Sequence, residues 1–529
     1  MVLTTGGEQL ERALGRVGTP FLVVDRAGDL DLVEAGPGPL DAGGPGRVVG
    51  FLPACRPESM GDAPFREEHG LRYAYVSGAM ANGIGSAEIV EAMARGGMLG
   101  VFGAAGLPIR AVEAAIDRLR GSLGPGGPFG FNLIHSPNDP ALEGQVVDLY
   151  LRRGVRLVEA SAYLDLTAPV VRYRVSGLHR DGSGRVVAPN RIIAKVSRVE
   201  VASKFLAPPP DRFLRDLVAS GEITADQAAM AREIPMAGDL TAEADSGGHT
   251  DNQAAVVLIP TMLALRDRLQ KQYGYDRPPR VGAAGGISTP WSAAAAFAMG
   301  ASYVVVGSVN QSCVESGTSD AVRKMLAEAQ QADIAMAPAA DMFEMGVKVQ
   351  VLKRGTMFAM RAARLYEFYR AHDALDRIPA ADRAMLEKTI FRAPLEAIWD
   401  QTRAFFLDRD PAQVDRADRD PKHRMALVFR WYLGQSSHWA NAGEPTRAVD
   451  YQVWCGPAMA AFNEWARGSI LERPEGRTVE VVARNILHHA AVLTRARALA
   501  AQGVPVPIGI PGLTPLSLAE IGRRAVLSG

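Results

Sequence analysis

Cysteine is scarce: Cys55, Cys313 and Cys455 are the only three in 529 residues, and they fall in no CxxC or other metal-ligand spacing. A disulfide framework and a zinc centre are thereby excluded, and no metal site is expected. Net charge is absent as well. The 58 lysines and arginines balance 58 aspartates and glutamates, so the summed field that draws a chain onto nucleic acid or an anionic bilayer is missing. No run approaches the roughly 18 apolar residues that cross a membrane, and the start, MVLTTGGEQLERAL, lacks the basic and apolar regions of a signal peptide. These absences predict a cytoplasmic protein with neither nucleic acid nor membrane as partner.

Glycine, by contrast, is abundant, with 54 residues against the roughly 7% that is usual, and it follows no repeat period. Such an excess predicts many tight turns. Residues 1–65 mix short apolar runs (FLVVD from Phe21, RVVGFLP from Arg47) with the turn-rich EAGPGPLDAGGPG, as a small β-rich segment would. From Tyr73 to Ser308 eight β-type runs alternate with helical ones: YAYVSG, MLGVFG, FGFNL, LVEAS, IIAKVS, DLTAEAD, RVGAAGG and YVVVGS. Ser86 and Thr289-Pro290 supply helix starts between them. Alternation of this kind predicts an α/β fold with a parallel sheet, and the span suits a (β/α)8 TIM barrel of about 250 residues. A doubly wound open sheet is the alternative, because strand order is not written in the sequence. The expected divisions are 66–319 for the barrel, 320–406 for a helical lid insertion, and 407–529 for a mostly helical C-terminal segment.

In such a barrel the chemistry lies just past the strand ends. The seventh run ends in Gly285-Gly286 and opens a helix, and the eighth ends in Gly307-Ser308, so backbone N–H groups there can surround a phosphate. The sixth run leads through Asp239, Thr241, Glu243 and Asp245, which share one strand face, into Gly247-Gly248-His249. A polar inward stripe ending in Gly-Gly-His predicts a site, with His249 as proton or hydrogen-bond donor. Gly78-Ala79-Met80, Asn132 and Lys195 close the first, third and fifth runs and can border a flat aromatic ring; a salt bridge to Glu159 is the structural alternative for Lys195. Cys313 has no adjacent basic residue to lower its pKa, which favours a small apolar role over a nucleophilic one.

Four segments, EADSGGHTDN (from Glu243), AAGGISTPWSAAAAFAMGA (from Ala283), VVVGSVNQSCVESGTS (from Val304) and DMFEMGVKVQVLKRGTMFAMRA (from Asp341), resemble the flavin-dependent barrels of the nitronate monooxygenase and enoyl-acyl-carrier-protein reductase superfamily. Within it they are most similar to the PfaD-type trans-acting enoyl reductases. The resemblance implies bound FMN, NADPH or NADH as hydride donor, and an enoyl thioester on an acyl carrier protein as substrate. It further implies a polyketide or polyunsaturated fatty acid synthase as setting, and a homodimer. It assigns Gly78, Ala79, Met80, Asn132, Lys195 and Gly248 to the isoalloxazine, Gly285, Gly286, Gly307 and Ser308 to the phosphate, and catalysis to His249. Rival readings are a nitronate monooxygenase-like oxidase, a flavin-free nucleotide dehydrogenase using Cys313, and a silent docking component. With no whole-molecule field available, carrier docking requires a local basic patch, for which Lys348, Lys353, Arg354, Arg361 and Arg364 are the candidates.

Overall fold

The computed structural model describes residues 7–36, 46–135, 140–507, 509–510 and 512–525, so most of the turn-rich segment after Glu34 lies outside the described residues. Strands β1 (Phe21–Arg26), β2 (Asp29–Glu34) and β3 (Arg47–Leu52) form an antiparallel sheet in the order β2-β1-β3. The barrel follows with β4 (Tyr75–Ser77), β5 (Leu99–Phe102), β6 (Phe129–Ile134) and β7 (Leu157–Ser161). After a short hairpin, β8 (His179–Arg180) and β9 (Val186–Val187), come β10 (Arg191–Val196), β11 (Asp239–Glu243), the short β12 (Gly248–His249), β13 (Arg280–Ala284) and β14 (Val304–Val306). Eight parallel strands close in the order β10-β11-β13-β14-β4-β5-β6-β7, each of the eight runs read from the sequence supplying one. The open sheet is thereby excluded.

Local chemistry starts the helices where expected. The Ser86 hydroxyl accepts from the Ile89 amide at 3.0 Å, capping helix Ala87–Arg95. Thr289 and Ser292 form a reciprocal capping box at helix Pro290–Ala298, whose first residue is a proline that has no N–H to leave unpaired.

The insertion departs from the expected helical lid in two ways. First, after helix Asp320–Ala327 it carries a β-hairpin, β15 (Ile334–Pro338) and β16 (Lys348–Leu352), and β16 pairs with β12, so the three-stranded order is β12-β16-β15. Pro338 is tolerated because β15 is an edge, where a missing N–H breaks no ladder. Second, helix Leu395–Arg409 runs through the expected boundary at 406. Its Ile398 and Trp399 share a separate apolar core with Phe358, Phe391, Phe429 and Tyr432, so the insertion packs as one unit through helix Pro421–Ala442. Asp450, with no exposed surface, anchors that unit: it pairs with Arg361, with Arg447 at 3.2 Å and with Arg392 at 3.3 Å, and it accepts from the Tyr432 hydroxyl at 2.8 Å.

Helix Val479–Ala501 packs against helix Pro290–Ala298 of the barrel and against the N-terminal segment. Its fully buried Arg495 donates to the carbonyls of Ala13, Leu14, Arg16, Thr19 and Pro53 at 2.6–2.9 Å. A buried guanidinium is tolerated only when its donors are met, and here five main-chain carbonyls meet them. Among the described residues no helix is long and apolar enough to cross a membrane.

Candidate active site

At the mouth of the barrel, the C-terminal ends of adjacent strands bring the expected residues together. Lys195, on β10, lies 3.2 Å from Glu243 on β11 and 3.5 Å from Glu159 on β7. The salt bridge to Glu159, the alternative reading of Lys195, is therefore present, joined by a second carboxylate. Burial works against the charge on Lys195, but Glu243 and Glu159 outweigh it and raise its pKa. Burial also raises Glu159 above the usual carboxylate range despite Lys195. Lys195 thus bridges two carboxyl groups from its two neighbouring strands. Glu159 in turn accepts the Ala79 N–H at 2.9 Å, and its main-chain carbonyl accepts from the Asn132 amide at 3.1 Å. Met80 directs its carbonyl inward to Gly85 N–H at 2.9 Å.

The two expected phosphate turns differ. Gly285 and Gly286 are both left-handed, with φ of +78° and +75°. A Cβ on Gly285 would stand 2.4 Å from the Ala244 carbonyl oxygen, so glycine is required there, whereas the space beside Gly286 is open. Gly307 is not left-handed: it precedes the short helix Ser308–Gln311 with φ −120°, and the space on its Cβ side is also open. The N–H groups of Gly285, Gly286 and Gly307 have no acceptor among the described residues, and the Ser288 hydroxyl is buried without a partner. Unmet donors around open space suit an anion.

His249 stands half-exposed on β12, and its Nε2 lies 3.0 Å from Asp341 Oδ1 in the turn between β15 and β16. Burial opposes its protonated form, but the Asp341 carboxylate outweighs that and raises its pKa. The loop before it is held on both sides. Gly248 and His249 pair with Gln350 and Val349 of β16, the Gln350 amide donates to Asp245 Oδ1 at 2.8 Å, and a Cβ on Gly247 would come within 3.0 Å of the Cys455-Gly456 backbone.

Part of the polar stripe on β11 proves structural. Asp239, at the N-terminal end of the barrel, is buried against His69 at 2.9 Å and Arg280 at 2.6 Å, and Thr241 shares a hydrogen bond of 2.9 Å with Tyr303. Only Glu243 and Asp245 reach the mouth. Cys313 is fully buried and burial pushes its thiol well up, which excludes a thiolate nucleophile at that position. Three of the five residues of the basic cluster have acidic partners: Arg361 pairs with buried Asp450, Arg364 with Glu367 at 3.0 Å, and Arg354 with Asp333 at 3.5 Å, while Lys348 and Lys353 are exposed. Sequence reasoning missed Asp341, whose only local signal is its place in the fourth resembling segment.

A family model described as nitronate monooxygenase matches residues 67–369. The chain belongs to the nitronate monooxygenase family. Beyond the family's barrel, a model described as the inserted helical domain of [acyl-carrier-protein] S-malonyltransferase matches residues 372–451, the helical part of the insertion. Over 453 residues, 84% of the chain, it is 50% identical to a polyunsaturated fatty acid synthase polypeptide of Thraustochytrium, of whose length it spans 30%. Over 440 residues, 83% of the chain, it is 45% identical to the Bacillus subtilis polyketide biosynthesis protein PksE, spanning 57% of that protein. The chain therefore spans between about a third and somewhat over half of these relatives. Among solved structures, the enoyl reductase domain of MlnA, from the macrolactin biosynthesis cluster of Bacillus amyloliquefaciens, superposes with a TM-score of 0.80 at 40% identity. That match covers 83% of this chain and 99% of the other. The PfaD-type resemblance is borne out by these relatives.

Proposed function

We propose that this chain is an FMN-dependent enoyl reductase that uses NADPH or NADH to saturate the α,β double bond of an enoyl thioester carried on an acyl carrier protein, within a polyketide or polyunsaturated fatty acid synthase. The observation that carries the reading is the shared mouth: an unmet set of amide donors at Gly285, Gly286 and Gly307, at the ends of β13 and β14, beside the β11 end that leads to His249. The 40% identity to a solved enoyl reductase domain supports it.

The residues fit the cofactor. Gly285, Gly286, Gly307 and Ser308, with the unpartnered Ser288 hydroxyl, would hold the phosphate, and Gly78, Ala79, Met80, Asn132, Lys195 and Gly248 would border the ring. FMN bound there supplies hydride, drawn from the nicotinamide cofactor, to the β-carbon of the enoyl group. Lys195, whose charge Glu243 and Glu159 favour, would set a cation beside the ring and favour its anionic reduced form. His249, whose protonated form Asp341 favours, would stabilise the developing thioester enolate and deliver a proton to its α-carbon. The apolar faces of the insertion beside the mouth exclude water from the acyl chain. Cytoplasmic location and a homodimer complete the reading, the latter by family analogy alone.

The test is optical. The purified protein should be yellow, should bleach anaerobically with NADPH, and should recover its colour on adding a crotonyl-carrier thioester. Recovery with a nitronate and not with the enoyl thioester would replace the reductase with a monooxygenase, and a colourless protein that takes up no FMN would end the flavin reading.

A further inference from the structure

His249 is held from three directions, and all three run through the insertion or the segment behind it. Its backbone pairs with Val349 of β16, the loop before it is tied through Asp245 to the Gln350 amide, and its Nε2 meets Asp341 in the turn of the same hairpin. A barrel of this kind could have left the loop after β11 to move alone. Instead the histidine is fixed to a separate element with its own core.

We propose that Asp341 is the positioning residue of this site: by accepting from Nε2–H it fixes the tautomer of His249, directs Nδ1 toward the substrate and keeps a proton on it for delivery. This rests on the enoyl reductase reading and goes beyond it. A carboxylate on one ring nitrogen determines which form the other takes. Neutral His249 then carries its hydrogen on Nε2, and the protonated form offers Nδ1–H. In the transfer the Nδ1–H bond breaks and a C–H bond forms at the α-carbon of the enolate. The imidazole is left neutral, with Nε2–H still bonded to Asp341, and takes its next proton from water. The other charged groups facing the pair are Glu243 of β11, which favours protonated His249, Lys195 of β10, which opposes it, and Arg430 of helix Pro421–Ala442, which acts on Asp341. Together they leave the pKa of His249 raised.

The decisive measurement needs neither cofactor nor substrate. The His249 imidazole, assigned in the NMR spectrum by its loss in His249→Gln, should titrate above about 6.5 in the wild type and at lower pH in Asp341→Asn. With cofactor bound, Asp341→Asn should reduce kcat for enoyl reduction by at least about 10-fold, with KM little changed. The alkaline limb of the rate profile should shift to lower pH, and Asp341→Glu should restore part of the loss. Cofactor absorbance and the rate of its reduction by NADPH should not change. A His249 titration at or below the ordinary value in the wild type, or one unmoved by Asp341→Asn, overturns the proposal. The wild-type titration keeps the test open even if the variants do not fold. A shifted titration in a protein that reduces no enoyl thioester would sink the functional reading and leave the pairing of these side chains standing.

Discussion

A histidine bonded to an aspartate stands at each end of this barrel, and the two pairs have almost the same length. His69 and Asp239 meet at 2.9 Å with side-chain exposures of 1% and 2%, while His249 and Asp341 meet at 3.0 Å with exposures of 44% and 49%. Surroundings separate them. At the closed end Arg280 completes a buried cluster, so charge is confined, paired and removed from water. At the open end the pair borders solvent, where an ion pair adds about 0–1 kcal/mol to stability and is free to exchange protons. The same two side chains are thus locked into the fold at one end and left open to solvent at the other.

The contrast breaks most sharply at the closed end. Asp239→Ala removes the shared partner of buried His69 and Arg280, leaving Arg280 only Glu68 at 2.9 Å, and should cost about 3 kcal/mol in urea unfolding. Burial opposes the charge of Asp239, but His69 and Arg280 outweigh it and hold its pKa at about 2. A carboxyl depressed on folding contributes stability above its unfolded value of about 3.9 and loses it as pH falls. This pair's contribution should therefore fade between about pH 4 and 2. His249→Ala should do the reverse, lowering enoyl turnover by about 100-fold or more while shifting the unfolding midpoint little and leaving bound cofactor in place.

Smaller effects sharpen the comparison at the open end. Gly285→Ala places a side chain in a left-handed turn against the Ala244 carbonyl and should cost about 1–3 kcal/mol, read as a lower melting temperature and weaker FMN retention. Smallest of all, Lys348→Ala and Lys353→Ala are surface changes expected to alter stability by less than about 0.5 kcal/mol. KM for the carrier substrate, measured in both variants, should stay unchanged, since their arginine neighbours Arg354, Arg361 and Arg364 are already paired with carboxylates.

The barrel was legible because its signals are local: alternating apolar runs, glycine turns at their ends, and Ser86 and Thr289 as caps. The glycines and His249 followed from the same logic. Asp341 did not, because what makes it part of the site is a strand pairing between Gly248–His249 and Gln350–Val349, across a long stretch of chain. KVQVL has the alternation of a strand, yet it sits in a tract whose neighbours read as helix, and its partner carries only two residues of β-structure. The stripe on β11 misled for a related reason. Alternation says which face Asp239 occupies, but not that a strand's first residue lies at the end remote from the mouth, where Arg280 and His69 await it.

Arg495 gives the molecule an order in time. Its guanidinium ties the carbonyls of Ala13, Leu14, Arg16, Thr19 and Pro53 to a helix 442 to 482 residues further along the chain. Until helix Val479–Ala501 docks, the N-terminal segment lacks these contacts. Contacts of such long sequence separation are slow to form. The barrel in between must hold its shape unaided while the two ends find each other.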